Sequence, residues 1–291
     1  MNCAPVIRHT SKLRKKRTLP KLRVLVTGAS GQIGYLTFKR LLDQPEKYDA
    51  FGIDRKQAPS ERVPDDWSLD LPNNRFSVAN LSDFEAVQTA TEGMDVVVHL
   101  GADPEGREWE SVLQNNIIGT YNVFETSRLS GVKRIVAASS IMVSAGHRQQ
   151  EPYKAMMERR LDDIPSDFEL ISPAIPAEPR GIYGASKVWT ESLARVYSNA
   201  HGLSCINIRI GQVERDRPRP PQGADIYVSQ RDIIQMIEKS INAPEFVRFD
   251  TFYGMSNNDH RWVDIDHGRD VIGFVPEDRA ENNHDYETPT L

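Results

Sequence analysis

The chain predicts an α/β fold, a doubly wound parallel sheet with a small C-terminal lobe, and three observations carry that prediction. From Leu22 onward short apolar runs alternate strictly with segments of helical period. The first run, Val24-Leu25-Val26-Thr27, leads directly into Gly28-Ala29-Ser30-Gly31-Gln32-Ile33-Gly34, three glycines spaced three apart ahead of a helix. Later runs such as Val96-Val97-Val98 are apolar throughout, as strands buried on both faces must be.

Each element follows in order. Leu22–Thr27 reads as a strand and Gln32–Asp43 as a helix. Asp49–Ile53 is the second strand. Residues 57–74 hold Pro59, Pro64 and Pro72 and read as a loop. Arg75–Ala79 is a strand, and Ser82-Asp83-Phe84-Glu85 opens a helix in the manner of a capping box. Asp95–Leu100 is a strand, Trp109–Ser130 a long helix and Val132–Ser139 a strand. Residues 147–180, rich in proline and charge, show no period and form a long irregular insertion. Gly184–Ala200 is a helix carrying Lys187 on its first turn. Leu203–Ile210 is a strand, Arg215–Gln222 a stiff proline loop, 229–242 an amphipathic helix and Phe246–Tyr253 a strand. A short tail with Trp262 and Phe274 ends the chain. No internal repeat is visible.

With 39% hydrophobic residues the chain has enough apolar material for one large domain with a lobe. Residues 21–291 are expected to form that domain, the lobe coming mainly from 147–180 and 212–291. Residues 1–20 begin a basic, acid-free stretch that runs to Arg23. It reads as a disordered tail, with a targeting peptide or loose contact with a polyanion or partner as alternatives. The net charge of −5 gives no global support for nucleic-acid binding, and no apolar run reaches membrane-spanning length. The two cysteines, Cys3 and Cys205, suit neither a disulfide framework nor a metal site. The chain therefore reads as cytoplasmic, with Cys205 a small core residue.

The glycine segment carries chemistry. Glycines permit a tight turn and close backbone approach, and the helix starting near Gln32 offers free amides and a positive dipole end to a pyrophosphate. The second strand ends at Asp54, where a carboxylate binds ribose hydroxyls and repels a 2′-phosphate. These features specify a Rossmann-like site for NAD rather than NADP, although Arg55 and Lys56 follow and either suits a phosphate. In such sheets ligands sit at the carboxyl ends of strands, which is where Gly28, Asp54, Asn80, Gly101 and Ser140 fall.

Downstream stands Gly181-Ile182-Tyr183-Gly184-Ala185-Ser186-Lys187. One helical turn separates Tyr183 from Lys187, so both face one site. A phenol is a poor base at neutral pH, and a nearby ammonium stabilises its phenolate. Ser139 and Ser140 close a strand upstream. Together Ser140, Tyr183 and Lys187 suit hydride transfer: Tyr183 removes a hydroxyl proton, Ser140 holds the oxygen, and Lys187 lowers the phenol pKa and grips the nicotinamide ribose. His99 reads as a packed strand-end histidine. Trp189, Leu193 and Val196 form a core or interface face.

These motifs, with His99-Leu100-Gly101-Ala102 and Asn116-Ile117-Ile118-Gly119-Thr120, resemble the extended short-chain dehydrogenase/reductase superfamily in its NAD-dependent epimerase/dehydratase branch. The resemblance covers roughly Leu22 to Pro276. Within the branch the chain is most similar to uronate dehydrogenases and archaeal NAD-dependent glucose-6-phosphate dehydrogenases. The segments that carry this are Asn115–Asn122, Asn207-Ile208-Arg209-Ile210-Gly211 and Tyr253-Gly254-Met255-Ser256-Asn257-Asn258-Asp259. It implies oxidation of a uronate, aldose or sugar phosphate at C1 to a lactone. The rival reading is a nucleotide-sugar epimerase or dehydratase with tightly held NAD, against which stands the short C-terminal part. The resemblance also implies cofactor contacts from Gly28, Ser30, Gly31, Gln32, Ile33, Gly34, Asp54, Asn80, Leu81, Leu100, Gly101, Ala102, Asn116, Ser139, Tyr183, Lys187 and Ile210. Substrate contacts are implied for Asp103, Ser140, Ile141, Met142, Tyr183 and Arg209. Arg209 either pairs with a substrate anion or forms a salt bridge at its strand end. The family commonly has Asn-His after the active-site serine, where this chain has Ile141-Met142. Either the substrate is less polar there or the 147–180 insertion supplies the polar groups. Arg148, Lys154, Arg159 and Arg160 form a solvated loop surface or a phosphate site. A homodimer through helices near 108–130 and 184–200 is implied by resemblance alone.

Overall fold

The structure, a computed structural model, describes residues 20–60, 62–63, 67, 70–214 and 223–282. The expected tail before Pro20 and the loop Arg215–Gln222 lie outside the described residues. A sheet of seven parallel strands runs in the order β3-β2-β1-β4-β5-β6-β9. Its first half comprises β1 (Leu22–Thr27), α1 (Gln32–Leu42), β2 (Tyr48–Asp54), β3 (Phe76–Val78), α2 (Phe84–Thr91) and β4 (Val96–His99). A long helix follows in three parts: α3 (Trp109–Val112), a π turn over Leu113–Ile118, and α4 (Gly119–Leu129). Then come β5 (Arg134–Ser140), α5 (Tyr153–Glu158), α6 (Gly181–His201), β6 (Ser204–Ile210), β7 (Gln212–Val213), β8 (Tyr227–Val228), α7 (Gln230–Ile241), β9 (Phe249–Gly254) and α8 (Asp266–Ile272). β7 and β8 pair separately in a small two-stranded parallel sheet.

The strand order reverses between β1 and β4, so their carboxyl ends open the crevice where such sheets bind ligands. Two apolar layers cover the sheet. Val24, Val26, Val98, Val136 and Ile206 face the side covered by α1 and α7, with Phe38 and Met236. Leu25, Val97, Ile135 and Cys205 face the other, with Phe124 and Leu193 from α4 and α6. Cys205 is buried, and burial pushes its thiol up to about 12.

Several elements differ from the sequence reading. Asp83, not Ser82, caps α2: its carboxylate accepts from the Ala86 amide at 3.1 Å, which moves the helix start one residue on. α6 starts at Gly181, placing Tyr183 in the first turn and Lys187 in the second. The expected terminal tail is core. Trp262 and Phe274 are fully buried, and α8 follows β9. The 147–180 insertion is ordered into α5 and short turns, and it builds a third apolar cluster. Met156 and Ile171 pack there with Ile141, Tyr253, Met255, Trp262 and Val263. A bridge between Ile171 and Val263 ties insertion to C-terminal part, as does the buried pair of Arg148 and Asp225 at 2.9 Å. The insertion and the C-terminal part thus share one apolar cluster.

Candidate active site

The glycine turn is built for close approach. Gly28 has φ +69°, and a Cβ there would stand 2.8 Å from the Gly101 backbone. A Cβ on Gly34 would stand 1.9 Å from the Gly28 carbonyl oxygen. No side chain caps α1, whose first amides, from Gln32 and Ile33, face the turn. The Asp54 carboxylate accepts from the amides of Ser30 at 3.0 Å and Arg55 at 2.7 Å, which fixes an acid beside the turn. An uncapped helix start, a turn only glycine fits and an acid at the end of β2 fit NAD. Gly28, Gly31 and Gly34 would hold its pyrophosphate and Asp54 its adenosine ribose.

Not every expected cofactor residue presents its side chain. The Ser30 hydroxyl donates to the Lys56 carbonyl at 2.6 Å, and the Gln32 amide to the Glu214 carbonyl at 3.2 Å. Leu81 and Ile210 are buried, Leu100, Gly101 and Ala102 are half-buried at the mouth of β4, and Asn80 is exposed. Asn116 is buried on the π turn. Its Oδ1 accepts from the Asp103 amide at 2.6 Å, and its Nδ2 donates to the Asp103 carbonyl and the Ser186 hydroxyl. The extra residue of a π turn re-aims one side chain inward, and here that side chain pins the loop after β4. Ser139 is the clearest departure. It points to the α6 side, where its hydroxyl donates to Glu191 at 2.5 Å.

Ser140 and Tyr183 come together at the carboxyl end of β5. Ser140 ends β5, is 6% exposed, and accepts from the Met142 amide at 3.2 Å. Its hydroxyl lies near enough to the Tyr183 phenol to favour the phenolate. Burial pushes that phenol above 10, while Ser140 and the charge of Arg62 pull it down and Asp103 raises it again. Lys187 is 3% exposed, and desolvation lowers its amine to about 8. Its Nζ donates to the Ala138 carbonyl at 2.8 Å and lies 5.6 Å from the Tyr183 ring centroid. Ser140 and Arg62 lower the phenol, and the Lys187 amine lies over its ring while bonding the Ala138 carbonyl.

The loop after β4 closes on Tyr183. Asp103 holds it, accepting from the amides of Glu105 at 2.9 Å and Gly106 at 3.3 Å. Burial would raise the Asp103 carboxyl, but the nearby Ser111 hydroxyl and these two amides hold it below its ordinary value. A Cβ on Gly106 would stand 2.7 Å from that of Tyr183. Glu105 pairs with Arg62 and, at 3.2 Å, with Arg107. Neither Arg62 nor Glu105 is discernible from sequence, since the two lie in separate irregular segments.

The expected substrate residues divide. Met142 is half-buried beside Ser140. Ile141 is 4% exposed and lies in the lobe's apolar cluster, so it is a packing residue and not a substrate contact. Arg209 takes the salt-bridge alternative. Its Nε and Nη2 donate side-on to Glu191 at 2.8 and 2.9 Å, and its Nη1 to Ser144 and Tyr253. Burial works against its charge, but Glu191 outweighs that and keeps it protonated. In the insertion Arg160 pairs with Glu151, Glu158 and Asp163. His99 is a packed histidine: its ring bonds Thr27 at 2.9 Å and Thr120 at 3.1 Å, and burial together with Lys187 lowers its pKa to about 3.

Residues 24–251 match the NAD dependent epimerase/dehydratase family, and the chain belongs to it. It is 33% identical over 264 residues to NAD-dependent glucose-6-phosphate dehydrogenase of Haloferax volcanii, covering 88% of this chain and 94% of that one. It is 31% identical to uronate dehydrogenase of Pseudomonas putida, covering 91% and 87%. Among solved structures, a tyrosine-to-alanine mutant of uronate dehydrogenase from Agrobacterium tumefaciens, complexed with NAD, superposes with TM-score 0.71. It shares 32% identity, with 90% of this chain and 87% of that one covered. Among the described residues no helix is long and apolar enough to cross a membrane, and no cluster of His, Cys, Asp and Glu is arranged for a metal.

Proposed function

We propose that this chain oxidises the C1 hydroxyl of a uronate, aldose or sugar phosphate to the lactone, with NAD as oxidant. The observation that carries the reading is the convergence of Ser140 at the carboxyl end of β5, the Tyr183 phenol and the buried Lys187, whose Nζ lies 5.6 Å from the Tyr183 ring centroid. NAD, when bound, supplies the hydride acceptor. Tyr183 takes the proton of the C1 hydroxyl at its Oη. Ser140 holds the same oxygen, so that the C1 hydrogen points toward the cofactor cleft. Lys187 holds the nicotinamide ribose and carries positive charge beneath the phenol. The relatives matched over nearly their whole length are named as dehydrogenases, which supports oxidation over epimerisation.

The test is formation of reduced nicotinamide over a panel of uronates, aldoses and sugar phosphates. Turnover of at least one is expected, and Tyr183→Phe lowers its kcat by on the order of 10²- to 10⁴-fold. Copurifying NAD with isomerisation of a nucleotide-sugar and no net reduction would favour the epimerase reading instead.

The working unit in this reading is a cytoplasmic homodimer that binds no nucleic acid. A net charge of −5 and a buried thiol at Cys205 support it. So do α4 and α6, which pack side by side through the buried Phe124 and Tyr197 and leave apolar residues exposed on their outer faces. α6 leaves Ile182, Trp189 and Val196 exposed at intervals of seven, and α4 leaves Tyr121 and Leu129.

A further inference from the structure

The end of β5 is gripped at successive residues. Lys187 holds the Ala138 carbonyl. Glu191, one turn further along α6, holds the Ser139 hydroxyl. Ser140 then leads into a turn over Ile141–Val143 that Ser144 closes, its amide bonding the Ile141 carbonyl. Ser144 is in turn held by Arg209 at 3.1 Å and by the Tyr253 phenol at 2.7 Å. The two grips are one unit, because Glu191 and Arg209 form a two-bonded side-on pair. Register reinforces it: Ser139, Arg209 and Tyr253 stand side by side on β5, β6 and β9.

The site is closed. Arg209 is 3% exposed, Ser139 2%, Ser144 1% and Tyr253 1%. A pair so buried is costly unless its remaining groups are satisfied, and four of the five Arg209 N–H groups have partners here. An arginine engaged in this way has little left for a substrate anion. It does hold the residues on both sides of Ser140 relative to the helix that carries Tyr183 and Lys187.

We propose that Glu191 and Arg209 are positioning residues of the reaction: the pair sets the distance between Ser140 and Tyr183, and Arg209 is not a substrate ligand. The proposal rests on the reading of Ser140, Tyr183 and Lys187 given above. Misplacement of a reacting group by about 1 Å costs about 100-fold in rate. Loss of the pair is therefore expected to lower kcat and leave binding intact.

The experiment uses the full chain with the best sugar of the panel, and the variants Glu191→Gln, Arg209→Gln, the double variant and Ser139→Ala. Melting curves identify the folded ones. Expected is a fall in kcat of about 10- to 100-fold in each single variant of the pair, with the sugar KM and the NAD Kd within about threefold of the parent. The double variant is expected to lose no more than the worse single one, since the two act as a unit. Should the pair variants fail to fold, Ser139→Ala removes one bond at small volume change, and a kcat fall of about threefold or more at constant KM supports the proposal. A rise in sugar KM in Arg209→Gln alone, with kcat kept, would overturn it in favour of a substrate ligand. Folded variants that melt lower but keep kcat within about threefold would overturn it in favour of a structural pair. Tyr183→Phe, measured in parallel, separates the two failures. If it stays active the base is misassigned; if it is inactive while the pair variants are active, only the positioning role falls.

Discussion

At the scale of single residues, Tyr183 sits in conflicting fields. Burial and Asp103 raise its pKa, and Ser140 and Arg62 lower it, with a net rise above 10. A base with a raised pKa is protonated at neutral pH, so kcat/KM is expected to climb from neutrality into the alkaline range. A profile with its maximum below pH 6 would contradict this. His99 gives a stability prediction. Its folded pKa is about 3 against 6.5 for the ordinary ring, so between those values the unfolded chain binds the extra proton. Stability contributed by the neutral ring is present above pH 6.5 and is lost as pH falls toward 3. Urea melts of the parent and of His99→Gln over this range are expected to differ in slope by about one proton; equal slopes would show that the ring is not buried neutral.

At the scale of elements, what the sequence shows is local pattern. The strand-glycine-helix unit was readable because its demands fall on consecutive residues: Gly28 needs positive φ, and Gly34 has no room for a Cβ. Gly34→Ala is accordingly expected to abolish NADH fluorescence enhancement and to lower the melting temperature. Normal binding would show that the turn relaxes at little cost. Tyr183, Lys187 and Asp54 were readable for the same reason, as spacing or position at a strand end. Non-local pairing was not. The π turn that aims Asn116 at Asp103 leaves no mark in a run of helical period. Ser139 and Ser140 are neighbours in a strand and therefore face opposite sides, so only one of them can serve the cleft. The Glu191 to Arg209 pair joins a helix to a strand beneath it, and its one sequence signal is Glu191 standing a turn beyond Lys187.

At the scale of the whole molecule, the insertion and the C-terminal part share one apolar cluster, which explains the unusual Ile141: it faces Met156, Ile171 and Trp262 in that cluster rather than solvent or sugar. Seen from the sequence, Trp262 was a tail residue because the segment that buries it lies about 100 residues upstream, at 147–180. Trp189 and Val196 remain exposed although Leu193 between them is core, so the helix packs on the sheet by one face and leaves apolar residues on the other. Trp189→Glu with Val196→Glu is expected to turn the proposed dimer into a monomer in sedimentation velocity, with fold and NAD binding retained; an unchanged sedimentation coefficient would place any interface elsewhere. In the proposed reaction Tyr183 removes the proton of a sugar hydroxyl as hydride passes to NAD. The most direct test is the appearance of reduced nicotinamide with the best sugar of the panel, for the parent and for Tyr183→Phe at equal NAD occupancy. Turnover is expected in the parent, with a loss of about 100-fold or more in the variant; equal rates in the two would rule out Tyr183 as the base.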